Sequence, residues 1–163
     1  MSDKNIRSVT PGMLSDTLQK MGYRTEVVED QLGAKLLRSA TNGLGFTVSF
    51  GNRADGEEST YLDVTFVLVL QVEGALPSEI VNLWNATKRF SRLHGSPNAL
   101  VLEMDVSLVG GVSVDHLLTK INIWDRLVQE LLHFLRTELA RRAAADEGAK
   151  AGAGAGEGAK QVA

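Results

Sequence analysis

Glu130 and His133 form a Glu-x-x-His pair, which on a helix stacks both side chains on one face and could supply two ligands to a metal ion. A di-iron bundle needs that motif twice, with further carboxylates from partner helices. Here it occurs once, and His94 and His116 fall in a loop and at a helix start, so a polar helix edge is expected and no metal site. Glu103 and Asp105 share one face of a strand pattern. Paired carboxylates do acid–base work only where a pocket drives their pKa values apart, and alternation alone explains these two as the solvent side of a half-buried strand. No G-x-S-x-G turn presents a serine nucleophile. Gly43-Leu44-Gly45-Phe46 lacks the Lys-Ser/Thr pair and following helix of a phosphate loop. Lys88, Arg89 and Arg92, with His94 nearby, make a basic edge that could touch phosphate; without interleaved aromatics it reads as a solvated face. No catalytic residue, cofactor site or metal centre is therefore expected.

The whole chain supports that reading. Its 163 residues suit one domain with a proper core, and 44% hydrophobic and 23% charged residues are ordinary for a globular protein. A net charge of −3 gives no general attraction to nucleic acid or anionic membrane. The absence of cysteine excludes disulfides, thiol catalysis and Cys-ligated zinc, and fits a reducing cytoplasm. MSDKNIRSVT lacks the apolar core of a secretory signal, and the longest apolar run, Val64 to Leu70, is far short of the roughly 20 residues that span a bilayer. The expectation is a cytoplasmic protein with neither membrane nor nucleic-acid partner.

The elements that would position these residues follow from periodicity and punctuation. Thr10-Pro11 starts a helix carrying Leu14, Leu18 and Met21 on one face, and Gly22 stops it. Strands are predicted at about 24–29, 35–40, 45–52 and 60–72. Pro77 opens a second helix to about Leu93, burying Ile80, Leu83, Trp84, Thr87 and Phe90, with a turn at 94–98. A strand over 99–108 alternates cleanly, Gly110-Gly111 breaks it, and Ser113 caps a final helix to roughly Arg141. The class is α+β: a largely antiparallel sheet flanked by three helices, in the order α-β-β-β-β-α-β-α. Residues 1–8 are expected to be flexible, 9–142 to form the domain, and the Ala/Gly-rich 143–163 to be a disordered tail.

The final helix carries more apolar surface than one sheet needs. Val114, Leu117, Leu118, Ile121, Trp124, Val128, Leu131, Leu132, Leu135 and Leu139 form one stripe, and Ile123, Leu127 and Phe134 widen it. A stripe of roughly 100° suffices to pack on one sheet. The surplus makes Ile123, Trp124, Leu127, Leu131 and Phe134 a candidate partner surface, most economically for a homodimer; the alternative is that the chain covers the extra face itself. Asp125 lies within the stripe, where a carboxylate must be paired or hydrogen-bonded, so it is a candidate structural or specificity carboxylate.

Two resemblances bear on function. The stretch GLGFTVSFG resembles the carboxylate-binding loop and following strand of PDZ domains, but the rest of that pattern is missing after Gly51, and Gly43 and Gly45 read as turn glycines. From about Leu14 to Leu135 the chain resembles the YbjN family of bacterial sensory transduction regulators. The residues that carry this are Asn82, Trp84, Asn85, Arg89 and Phe90, then LEMD at Leu102 to Asp105, Gly110-Gly111, and IWDRLVQELLHFL at Ile123 to Leu135. The resemblance implies a fold similar to class I type III secretion chaperones, which are dimeric and hold a partner segment; those proteins typically have three strands before the second helix, where the present reading has four. It implies no catalytic set. The expected function is a non-enzymatic regulator acting through an unidentified protein partner. The alternatives are a secretion-like chaperone for an extended client and, on Glu130 and His133 alone, a metal-dependent enzyme.

Overall fold

Thr10 starts α1 (Pro11–Lys20) as expected: its Oγ1 accepts the Met13 amide at 3.1 Å, and Pro11 takes the first helical position, where an amide would have no partner. Gly22, at φ +94°, ends the helix in a Schellman closure, with Tyr23 N donating to Leu18 O at 3.0 Å and Gly22 N to Gln19 O at 2.9 Å. The computed structural model describes residues 5–74 and 76–156. After α1 come β1 (Glu26–Glu29), β2 (Lys35–Thr41), β3 (Leu44–Phe50), β4 (Asp63–Gln71), α2 (Ser78–Thr87), β5 (Arg92–Ser96), β6 (Ala99–Ser107) and α3 (Val114–Gly156). The strands form one antiparallel sheet in the order β1-β2-β3-β4-β6-β5, which makes the chain α+β with four strands before α2.

The element order departs from expectation at β5. The second helix was expected to run to Leu93, but α2 stops at Thr87, and Lys88 is already extended at φ −106°, ψ 148°. The register explains the change. Leu93 pairs with Leu102, which pairs with Leu68, and all three are buried on one side of the sheet. Burying Leu93 there outweighs the weak helical preference of its segment. The order is therefore α-β-β-β-β-α-β-β-α.

Compact units meet inside α3, one ending at Val128 and the other beginning at Gln129. In the first, the sheet's inward face is built from matched rows: Leu37, Val48, Phe66 and Met104 lie opposite one another in turn, and each is buried. α1 packs at β1 and β2, and α2 at β5. Between them, α3 sets Trp124 against Phe46 of β3 and Phe66 of β4, at centroid distances of 5.7 and 5.6 Å. The opposite face, including Ser49, Thr65, Glu103 and Asp105, is partly or fully exposed. In the second unit the helix continues past Arg141, its expected end, as far as Gly156. Alanine has the strongest helix propensity, and a helix already nucleated extends at little cost. Residues 143–153 are exposed, and 157–163, like 1–4, lie outside the described residues. Within the expected flexible N-terminus, Ile6 pairs with Val112, its amide donating to the Val112 carbonyl at 2.7 Å. Among the described residues no helix is long and apolar enough to cross a membrane.

Candidate functional site

The β2–β3 hairpin turns through Asn42 and Gly43, at φ +52° and +76°, the left-handed pair that an Asn-Gly turn supplies with least strain. This turn faces Asp125 of α3. The Thr41 hydroxyl donates a close hydrogen bond to Asp125 Oδ1, and Asn42 Nδ2 lies 3.2 Å from the same oxygen. Asn42 Nδ2 also donates to Thr41 Oγ1 at 3.1 Å. The carboxylate in the apolar stripe is thus hydrogen-bonded by the hairpin, which offsets the cost of half-burying its charge.

Asp125 borders a cleft of about 430 Å³ lined by Met21, Gly22, Tyr23, Arg24, Ala40 and Asn122 besides itself. Tyr23 is half-buried with its ring edge on Phe46, at a centroid distance of 6.4 Å. Burial, and then the nearby Asp125 charge, push its phenol above the usual tyrosine range. Among the described residues the Tyr23 hydroxyl has no hydrogen-bond partner and Arg24 has no carboxylate partner. The wall carrying them is held in place: the Arg24 carbonyl accepts from Ser39 Oγ at 2.8 Å, and Thr25 Oγ1 lies 2.7 Å from Ser15 Oγ. Sequence reasoning found Asp125 and Gly22 separately but not the cleft, whose walls come from α1's end, β2 and α3.

The residues of the expected partner surface divide by burial. Trp124, Leu127 and Leu131 are buried, at 0, 5 and 0% exposure, while Ile123 and Phe134 are half-buried. Trp124 is buried because that part of α3 lies on the middle strands, where its ring meets Phe46 and Phe66. Glu130 is half-buried and His133 exposed, and no group of three or more His, Cys, Asp or Glu capable of holding a metal ion occurs among the described residues.

Glu103 and Asp105 sit on the open face, bound to Arg92. Arg92 Nε donates to Glu103 Oε2 at 2.6 Å, and its Nη1 makes a close contact with Asp105 Oδ2. Thr65 Oγ1 donates to Asp105 Oδ1 at 2.7 Å, and His94 Nε2 lies 3.4 Å from Glu103 Oε2. The Arg92 hydrogen bond, assisted by Thr65 and opposed by partial burial, holds the Asp105 carboxyl below the usual range, while both carboxylates raise the pKa of Arg92. Two carboxylates tied to one guanidinium have the geometry of a surface ion network, not of an acid and a base poised apart.

The basic edge expected on the second helix is also divided. Arg92 belongs to β5, Lys88 lies over the Trp84 ring at 5.7 Å, and Arg89 lies over Phe90 at 5.1 Å. Phe90, expected in the core, is 54% exposed at φ +70°, with Lys120 Nζ 5.2 Å from its ring centroid. Leu83, also expected in the core, is exposed. The apolar spacing continued past the residue at which the helix ends, so periodicity alone placed Phe90 inside.

No curated protein and no solved structure matches the chain. Residues 10–137 match the YbjN family, whose description is "Putative bacterial sensory transduction regulator". That span takes in α1, the whole sheet, α2, and α3 through Thr137, with the Trp84-Asn85 and Trp124-Asp125 pairs inside it. The chain belongs to the YbjN family.

Proposed function

We propose that the chain is a non-enzymatic bacterial regulator of the cytoplasm, acting through protein–protein contacts and assembling as a homodimer. The family's description supports a regulator. The observation that carries the contact mechanism is Phe90. A bulky side chain at φ +70° is a backbone outlier, and such strain costs on the order of 1–3 kcal/mol. Here the strain holds an aromatic ring out toward solvent instead of in the core. Arg89 and Lys120 frame that ring, and neither pairs with a carboxylate among the described residues. Exposed aromatics bordered by basic side chains have the composition of interface anchors.

Light scattering across a concentration series, on the wild type and Phe90→Ser, tests the proposal. The wild type is expected to associate with rising concentration and the variant to associate more weakly at an unchanged unfolding midpoint. A strict monomer throughout would overturn the homodimer, and equal association by both proteins would remove Phe90 from the contact.

A further inference from the structure

The cleft beside Asp125 is the strongest unassigned feature of the first unit. Its lining combines one anionic group, Asp125, one cationic group, Arg24, two neutral polar groups, Tyr23 and Asn122, and the apolar Met21 and Ala40. About 430 Å³ lies within the range of small-molecule sites, roughly 300–1,000 Å³. The Tyr23 hydroxyl and the Arg24 guanidinium are left without hydrogen-bond or ionic partners among the described residues, although the backbone that carries them is fastened. Donors with no protein partner, carried on a fastened backbone, are open to a ligand that supplies acceptors.

We infer that this cleft binds a small zwitterion of the α-amino-acid type, its ammonium drawn to Asp125, its carboxylate to Arg24 and Tyr23, and an apolar side chain lying on Met21 and Ala40. Opposite charges on the two walls disfavour a simple anion, which Asp125 repels, and a simple cation, which Arg24 repels. The Schellman closure at Gly22 and the Asn42-Gly43 turn hold the walls in register, so binding requires no rearrangement of the sheet. This goes beyond the protein-contact reading and does not depend on it, because Phe90 takes no part in the cleft.

The test is an amide NMR titration of the full chain with free leucine and methionine. Isoamylamine, which lacks the carboxylate, and 4-methylpentanoate, which lacks the ammonium, serve as controls. Saturable shifts are expected at Gly22, Tyr23 and Ala40 with the two amino acids, and roughly tenfold weaker binding of each single-charge analogue. Asp125→Asn, which keeps an acceptor for the Thr41 hydroxyl, and Arg24→Gln, at an exposed side chain, should each weaken leucine binding about tenfold or more. No saturable shift up to about 10 mM, equal binding of either analogue, or undiminished binding by both variants would overturn the inference.

Discussion

Asn85→Ala should destabilise the fold by about 2 kcal/mol, because Asn85 acts as a missing strand. β5 is the end of the sheet and pairs only with β6, so alternate backbone groups along it point away from any neighbour. At Leu93, the buried residue of that strand, Asn85 fills the gap: its Nδ2 donates to the Leu93 carbonyl at 2.8 Å, and its Oδ1 accepts the Leu93 amide at 2.9 Å. Each bond is worth about 0.5–1.5 kcal/mol net, so the pair is worth about 1–3 kcal/mol, and water can reach part of the edge once the side chain is gone. The assay is equilibrium urea unfolding, read as a lowered midpoint at unchanged slope. Asn85→Asp keeps an acceptor for the amide but sets a carboxylate against the Leu93 carbonyl, and should be no better than alanine. A midpoint equal to wild type for Asn85→Ala would refute the strand-mimic argument. Both variants also uncover an edge, so their light scattering should rise with concentration faster than that of wild type.

The Arg92 network predicts acid sensitivity. The folded Asp105 carboxyl is held below its ordinary value of 3.8, so its contribution is present above that pH and disappears as pH falls through the lower folded value. The stability difference between wild type and Asp105→Asn, measured by urea unfolding from about pH 6 down to about pH 2, should shrink toward zero at the acid end, and a constant difference would contradict it. Trp124 predicts a contrast between two substitutions. Its ring is buried against Phe46 and Phe66, and its Nε1 has no hydrogen-bond partner among the described residues. Trp124→Ala should cost about 3–5 kcal/mol, and Trp124→Phe less than half of that, because phenylalanine keeps most of the packing and removes an unsatisfied donor. Equal losses in the two variants' unfolding midpoints would refute that reasoning.

Local signals were legible in the sequence wherever they decided the outcome. Thr10-Pro11 and Gly22 bound α1 because a cap, a fixed φ and a left-handed closure act within one turn of chain. The alternation over β6 was legible because one of its faces is buried and the other open. β5 was not, since RLHGS carries one buried side chain and its extended state comes from β6 on one side and Asn85 on the other. Phe90 failed for the same kind of reason: spacing cannot register that the helix has already ended at Thr87. On α3 a helical wheel grouped Trp124, which is buried, with Ile123 and Phe134, which are half-buried, because it shows spacing and not the depth of contact. The cleft joins residues 21–24 to Ala40 and to Asn122 and Asp125, and no periodicity connects segments so far apart.

Trp124 and Asp125 together show why a carboxylate persists within an apolar helix stripe. Adjacent helical residues point about 100° apart, so a helix can bury one and present the other at the edge of its contact. Trp124 fixes the rotation of α3 from below, between Phe46 and Phe66, and Asp125 fixes it from the side, through Thr41 and Asn42 at the tip of the same hairpin that carries Phe46. A leucine at 125 would add apolar area but leave the buried Thr41 hydroxyl without its acceptor, and would loosen the helix's setting against β2. The same two anchors place a negative charge at the mouth of the cleft and hold it there. Rotational precision in the core and charge placement at the surface are thus consequences of one dipeptide.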